Sequence, residues 1–180
     1  GCGGFATASI FPNIPAIPEI DLVAVCDLDA AKAERNARNF GARRHYTDLE
    51  RMLDSEMLDG VFVIGPAPQQ FALAPKVLER GLPVYVEKPS ANTSAEARQL
   101  AALAEAHGTW GQCGFMKRFA YVYRITRGIL DSHGFGPVKL VSIKFGQGPY
   151  PQIWGMDSYQ RAFLVGQCVH LFDLCRFAGG

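Results

Sequence analysis

The sequence has little net charge, and it has no apolar run long enough to cross a bilayer. Lysine and arginine number 18 against 17 aspartates and glutamates, which gives a formal net charge of +1. Nucleic acids and anionic membranes attract an excess of positive charge, so the composition indicates neither partner. A membrane-spanning helix needs about 20 consecutive apolar residues, which the sequence does not contain. We therefore expect a protein that binds neither nucleic acid nor membrane.

The cysteines lack the spacing of a disulfide framework or a zinc site. There are five of them, an odd number, and none forms a CxxC pair. Most lie in apolar stretches, which is typical of buried free thiols. We expect reduced thiols in the core of a cytoplasmic protein, and no bound metal.

What the sequence does contain is a regular alternation of short β-branched runs and longer helical patterns. The predicted strands cover residues 21–27, 43–46, 60–65, 82–89 and 109–115, and the predicted helices cover 29–40, 47–53, 68–81 and 94–108. Short connections between alternating strands and helices are typical of parallel β-α-β units. The sequence therefore predicts an α/β fold with a Rossmann-type doubly wound parallel sheet.

Hydroxyl and carboxylate side chains mark where these helices begin. The pattern predicts Asp29 as the N-cap of the first helix and Gly41 as its end. It predicts Thr47 as the cap of the second helix, with Glu50 three residues later. For the helix over 94–108 it predicts Ser94 as the cap.

The regular alternation of strands and helices ends after about residue 119. A longer helix is predicted over 121–134, a strand over 137–148, and a last helix at the end of the chain. We therefore divide the chain into a first domain over 1–118 and the beginning of a second domain over 119–180.

The first residues form the pattern GxGxxA, with Gly1, Gly3 and Ala6 at its small positions. In a dinucleotide-binding turn the first glycine allows a tight bend and the second lets the backbone approach a pyrophosphate. The third small residue lets the helix pack on the sheet, and the helix N-terminus faces the phosphates. Gly4 and Phe5 follow within the same turn and are counted with it as cofactor-binding candidates.

An acidic residue is expected about 20 positions after such a turn, where its carboxylate binds the ribose hydroxyls. Asp27 lies there, at the end of "LVAVCD". Its charge would repel a 2′-phosphate, so we expect NAD rather than NADP. A turn of this kind follows a strand, and the chain begins at Gly1. We therefore expect the chain to be a fragment that lacks its first strand.

The stretch "VYVEKP" (84–89), following "GCGGFA" and "VCDLD", resembles the Gfo/Idh/MocA family of glucose–fructose oxidoreductase and inositol dehydrogenase relatives. The motifs "GVFVIGP", "GFMKRF", "FGPV" and "HLFDLCRF" follow in the family's order. The resemblance implies a second, α+β domain with an open, mainly antiparallel sheet that binds substrate and joins subunits. Most of that domain would lie beyond this chain, and the protein would be a homo-oligomer.

The resemblance also implies roles for the Glu-Lys-Pro stretch. The family's lysine, here Lys88, lies at the nicotinamide and the substrate hydroxyl, where an ammonium can stabilise a developing alkoxide. Without the family, a solvated lysine at a strand end would be the simpler interpretation. Glu87 and Pro66 would lie on the cofactor side. Pro89 indicates a fixed turn, for which a cis peptide is one solution.

A second group of candidates lies near the chain's end. The resemblance makes His170 the general base, although a histidine in an apolar helix is more often a core residue. Gly166, His170 and Asp173 share one helical face, but the family has an aspartate where Gly166 stands. Gly166 thus removes the carboxylate that would orient the site. Asp173 lies on the right face and is counted as a substrate-contact candidate, although the family also has an acidic residue there.

The remaining candidates would contact substrate or cofactor, or would simply be solvated or packed against loops. These candidates are Lys117, Arg118, Tyr150 and Trp154. Milder departures from the family are Gly65 for threonine, Gln70 for histidine and Met116 for asparagine.

The resemblance implies an NAD(P)-dependent dehydrogenase that oxidises a secondary hydroxyl of a sugar, inositol or sugar derivative. Two alternatives stay open. One is a relative that cleaves glycosidic bonds through transient oxidation by a tightly held NAD. The other is a non-catalytic dinucleotide-binding regulatory protein, which the glycine at position 166 favours.

Overall fold

The structure is a computed structural model that describes residues 1–146, 148 and 156–179. The chain divides into two compact units, Gly1–Gln112 and Cys113–Gly180. The domain division drawn from the sequence, 1–118 and 119–180, stays a prediction. No helix within the described ranges is long and apolar enough to span a membrane.

The first unit alternates strands and helices as the sequence predicts. Its strands are β1 Ala24–Cys26, β2 Arg44–Tyr46, β3 Val61–Val63, β4 Val84–Val86 and β5 Gly111–Cys113, and its helices are α1 Ala30–Phe40, α2 Leu49–Ser55, α3 Ala67–Leu78 and α4 Ser94–Ala106. Strand β1 pairs with β2 in parallel, and β3 pairs with β4 in parallel. The strands form two sheets, ordered β1-β2 and β3-β4-β5. The prediction of parallel β-α-β units is confirmed.

Two segments of other helical types precede β1. They are a π-helix over Ala6–Ile10 and a 3-10 helix over Phe11–Ala16. Ala6 is completely buried and packs in a cluster with Cys2, Phe11 and Val25. The third small residue of the glycine pattern therefore does what the pattern requires, because it lets this helical segment approach the sheet closely.

The caps of α1 are as predicted, and the caps of α2 and α4 are not. Asp29 accepts backbone hydrogen bonds at the start of α1, and Gly41 ends it with φ 78°. Helix α2 is capped by Asp48, whose Oδ1 accepts from Arg51 N at 2.7 Å, so the prediction of Thr47 is wrong. A carboxylate there also faces the positive end of the helix.

Helix α4 is capped by Thr93, so the prediction of Ser94 is also wrong. The reason is the position of Glu96. A capping box needs the acidic residue three positions after the cap. Glu96 has that spacing from Thr93, and its carboxylate accepts from Thr93 N at 3.0 Å.

The core of the first unit lies between the sheets and helices. Its central cluster comes from β3, β4 and the inner face of α3, and includes Val63, Val77, Leu78, Val84 and Val86. Burying an aliphatic side chain of this size contributes about 1.5–3 kcal/mol. This packing holds the carboxyl ends of β3 and β4 side by side.

The described part of the second unit is mainly helical. It contains a 3-10 helix over Met116–Phe119, α5 over Tyr121–Leu130, α6 over Tyr159–Phe163, a π-helix over Leu164–Cys168 and α7 over Val169–Gly179. The helix predicted after residue 119 is confirmed as α5, although it ends at Leu130. The last three segments follow one another without a break.

The strand predicted over 137–148 is wrong for the described residues 137–146, which form no strand. An alternating pattern gives an extended segment, but a strand also needs a neighbour that takes its backbone hydrogen bonds. Among the described residues of this unit no such neighbour is paired with it.

Candidate cofactor and active site

The glycine turn lies at the carboxyl ends of β1 and β3. A Cβ atom on Gly1 would overlap the carbonyl oxygen of Ile64, the residue after β3, so only glycine fits there. At Gly3 and Gly4 an added Cβ would meet nothing within 4 Å. The turn is therefore tight on the protein side and open on the other. This cradle fits a dinucleotide pyrophosphate, because a phosphate oxygen has room to reach the backbone.

Asp27 lies beside this turn. Its Oδ2 accepts from Cys2 N at 2.7 Å, and its Oδ1 accepts from Asp29 N at 3.0 Å. These two bonds fix the orientation of the carboxylate. A carboxylate has about four acceptor positions, so Asp27 keeps capacity for the two hydroxyls of a ribose. The carboxyl end of β1 is also where open α/β sheets bind ligands.

The Glu-Lys-Pro stretch leaves the carboxyl end of β4 and is held by its own side chains. Glu87 is 5% exposed. It accepts from the Tyr85 hydroxyl at 2.7 Å and from Lys88 N at 2.9 Å. Its own N–H donates to Val63 O at 3.0 Å, which ties the stretch to β3. The peptide between Lys88 and Pro89 is cis, so the predicted fixed turn is confirmed.

Gln70 supports the same turn from helix α3. It is completely buried, and its Nε2 donates to Pro89 O at 2.9 Å. Pro66 begins this helix, and its carbonyl accepts from Gln70 N at 3.0 Å. From the sequence alone, Gln70 counts only as a departure from the family. No signal along the chain marks Gln70, because its partner Pro89 lies 19 residues away.

His170 lies in the second unit, near the start of α7. It is 2% exposed. The ring of Phe115 meets the imidazole edge to face, with centroids 6.3 Å apart. Gly166 is also buried, within the π-helix that precedes α7. Burial beside an aromatic ring is compatible with a core histidine as well as with a catalytic one, so the general-base role of His170 stays a prediction.

Arg118 and Asp173 form an ion pair in the second unit. Arg118 Nε lies 2.8 Å from Oδ1 and 2.7 Å from Oδ2 of Asp173. The guanidinium also lies 5.6 Å from the ring centroid of Phe177. The carboxylate of Asp173 raises the pKa of Arg118 through this hydrogen bond. The charges of the two residues thus neutralise each other, and Asp173 lies about one helical turn after His170.

The other predicted site residues are spread more widely. Phe5 is 42% exposed. The Lys117 ammonium lies 4.7 Å from the ring centroid of Phe145, a cation–π contact. Tyr150 and Trp154 lie outside the described residues.

The clefts of the structure and its possible metal ligands add no further residues to the candidate site. Two clefts of about 470 and 180 Å³ lie beside α5 and the end of α7, and the predicted site residues do not line them. Within residues 1–146, 148 and 156–179, no cluster of histidine, cysteine, aspartate or glutamate is arranged to hold a metal.

Comparison with known proteins supports this interpretation of the first unit. Scyllo-inositol 2-dehydrogenase (NAD(+)) of Bacillus subtilis is 24% identical over 93% of this chain and 48% of its own length. Inositol 2-dehydrogenase 2 of Saccharopolyspora erythraea is 31% identical over 100% of this chain and 52% of its own length. The chain thus spans about half the length of these relatives.

The chain is also similar to solved dehydrogenase structures. A dehydrogenase from Chromobacterium violaceum superposes with a TM-score of 0.85 at 27% identity, over 98% of this chain and 52% of the other. GenD2 from gentamicin A biosynthesis, in complex with NAD, gives a TM-score of 0.76 at 25% identity, over 94% of this chain and 49% of the other.

The model of the GFO_IDH_MocA family, described as an oxidoreductase family with an NAD-binding Rossmann fold, matches residues 1–115. The resemblance drawn from "VYVEKP" and its companion motifs is thereby confirmed. With its glycine turn, Asp27 and Glu-Lys-Pro stretch at one edge of the strands, the chain belongs to the Gfo/Idh/MocA oxidoreductase family.

Proposed function

We propose that this protein is an NAD-dependent dehydrogenase acting on a secondary hydroxyl of a sugar, inositol or sugar derivative. The observation that carries the proposal is the position of Lys88. It follows β4 directly, and Glu87 N bonds to Val63 O at the end of β3. The lysine therefore leaves the same edge of the first unit as the glycine turn. The inositol dehydrogenases among the relatives support the substrate class.

In this proposal the first unit binds the cofactor. The glycine turn, including Gly4 and Phe5, receives the pyrophosphate, and Asp27 receives the adenosine ribose. Pro66 and Glu87 lie on the cofactor side at the ends of β3 and β4. The Glu87 carboxylate accepts from the Tyr85 hydroxyl and from Lys88 N, so Glu87 also fixes the lysine's backbone.

Two residues carry the chemistry. Bound NAD would supply the hydride acceptor for oxidation of the alcohol to a ketone. The Lys88 ammonium donates a hydrogen bond to the reacting oxygen and stabilises its developing negative charge. His170 accepts the hydroxyl proton, which balances the reaction.

We further propose that substrate contacts come from Lys117, Tyr150 and Trp154, and that the protein acts as a homo-oligomer. Arg118 and Asp173 enter the site as a pair. Their bidentate contact leaves no net charge, which suits a neutral polyol better than an anionic substrate.

The experiment is turnover of the purified protein with NAD and a panel of inositols and sugars, followed by NADH absorbance. We expect Lys88→Met to lower kcat by about 10²–10³-fold, as for other removed electrostatic donors, while NAD still binds. Lys139→Met, at an exposed lysine, is the matched control and should keep wild-type kcat. Full turnover by Lys88→Met would disprove the assigned mechanism.

The glycine at position 166 favours a second candidate, a non-catalytic dinucleotide-binding protein. Gly166 is buried inside the π-helix Leu164–Cys168, and it supplies no carboxylate beside His170. Tight NAD binding without turnover on any member of the panel would support this candidate. Turnover that His170→Ala abolishes would eliminate it.

A further inference from the structure

The turn that begins at Gly1 is held from behind by a buried polar pair, Thr7 and Asn36. Asn36 is completely buried on α1. The Thr7 hydroxyl lies 2.9 Å from Asn36 Oδ1 and 3.3 Å from Cys2 O. Asn36 Nδ2 lies 2.8 Å from Lys32 O and 3.5 Å from Cys2 O. The single proton of the Thr7 hydroxyl goes to Asn36 Oδ1, the nearer acceptor, so the Asn36 amide is the donor that faces Cys2 O, and Thr7 fixes that amide in place.

The contacts fix which way the Asn36 amide faces. Its nitrogen side meets the carbonyl oxygens of Lys32 and Cys2, and its oxygen side meets the hydroxyl of Thr7. The reverse orientation would set an acceptor against two carbonyl oxygens. A completely buried amide is costly unless it is satisfied, and both ends of the Asn36 amide have partners here.

These contacts constrain the orientation of the peptide between Cys2 and Gly3. Cys2 O is held toward α1, while Cys2 N is held by Asp27 at 2.7 Å. The peptide between Cys2 and Gly3 is trans, so its N–H points opposite to its C=O. The Gly3 N–H is thereby aimed away from α1.

We propose that Thr7 and Asn36 are positioning residues that hold the Cys2 carbonyl inward so that the Gly3 N–H faces a phosphate oxygen of the cofactor. The inference rests on the proposed function, because it needs a dinucleotide in the turn. It adds two residues outside the glycine pattern to the cofactor machinery, neither of which touches the cofactor.

The test measures binding of NAD and of ADP-ribose to the purified protein by calorimetry. Thr7→Val keeps the shape of the side chain and removes its donor, and we expect about tenfold weaker binding of both ligands. Thr7→Ser restores the hydroxyl and should bind within about twofold of wild type. Asn36→Ala should weaken binding at least as much as Thr7→Val.

Two matched controls lie on the same elements. Asn39→Ala changes an exposed asparagine of α1, and Ser9→Ala changes an exposed hydroxyl of the helical segment that contains Thr7. Both should bind NAD as wild type does. The Gly3 amide proton resonance supplies a second readout, because it should move downfield on ADP-ribose addition and move less in Thr7→Val.

The outcomes separate the possibilities. A purely structural role would lower the melting temperature of Thr7→Val but leave its Kd and its Gly3 amide response unchanged, which would overturn the inference alone. Equal weakening by Asn39→Ala would overturn it too. Wild-type protein that bound neither NAD nor ADP-ribose would overturn the proposed function, and this inference with it.

Discussion

The two units of this chain use different means to order their residues. The first unit buries aliphatic side chains from strands and helices in one cluster, in which Val77 and Leu78 are at most 1% exposed. Among the described residues of the second unit, Ala162 and Leu174 are the apolar side chains that are buried, while Val122 is 62% and Leu140 is 85% exposed. The first unit therefore has the larger apolar core, and we expect directed polar contacts to carry a larger share of the order in the second.

Those polar contacts tie helices to one another. Arg118 pairs with Asp173, and Arg127 Nη1 donates to the carbonyls of Phe177 and Ala178 at 2.8 and 3.0 Å. Such bonds depend on charge and geometry, whereas core packing depends on volume. Substitutions of the two kinds should therefore act differently in the two units.

The largest effect is expected from removing volume in the first unit. Leu78→Ala should lower the free energy of unfolding by about 2–5 kcal/mol, because it leaves a cavity in a tight cluster. Leu140→Ala, the same change at an exposed position of the second unit, should stay within about 0.5 kcal/mol. Urea unfolding followed by circular dichroism measures both. Equal losses would break the comparison between the units.

The next effect removes charge from the second unit without changing volume. Asp173→Asn should cost about 1–3 kcal/mol, since it leaves Arg118 without its ionised partner; the 38% exposure of the Arg118 side chain limits the cost through solvent screening. Asp157→Asn breaks an ion pair whose carboxylate is 67% exposed, and it should cost less than about 0.5 kcal/mol. The same urea titration distinguishes them. A silent Asp173→Asn would show that the pair does not order this unit.

The dependence of the unfolding free energy on alkaline pH tests the burial of the Cys2 thiol in the first unit. Burial raises the pKa of the Cys2 thiol from 9.0 to about 11. Between these values the unfolded chain has lost a proton that the folded chain keeps, so the free energy of unfolding falls as pH rises. The expected loss is about 2 kcal/mol between pH 9 and 11, with full stability retained below pH 9.

Cys2→Ala removes this titration and should flatten the dependence of unfolding free energy on pH in that window. A wild-type slope in Cys2→Ala would assign the loss to other groups.

Local signals in the sequence predicted the strands and helices of the first unit and the main helices of the second, but not the extended segment over 137–146. The glycine turn, Asp27 and the Lys88–Pro89 turn depend on neighbours along the chain or on a fixed spacing, so they could be predicted. The absence of a strand over 137–146 could not, because strand pairing depends on partners distant in sequence. The tertiary contacts of Gln70 and Asn36 could not be predicted for the same reason.

The smallest effect separates two adjacent hydroxyl residues that the sequence alone did not distinguish. Thr93 Oγ1 accepts from Glu96 N at 3.2 Å, and Glu96 returns bonds to the N–H groups of Asn92 and Thr93. Thr93→Ala should therefore cost about 1 kcal/mol of unfolding free energy, the usual loss for an N-cap.

Ser94→Ala places a better helix former at the first position of α4 and should change stability by a few tenths of a kcal/mol at most. Thr93→Ser keeps the acceptor and should recover most of the loss. If Ser94→Ala proved the costlier change, the helix would begin one residue later than the structure places it.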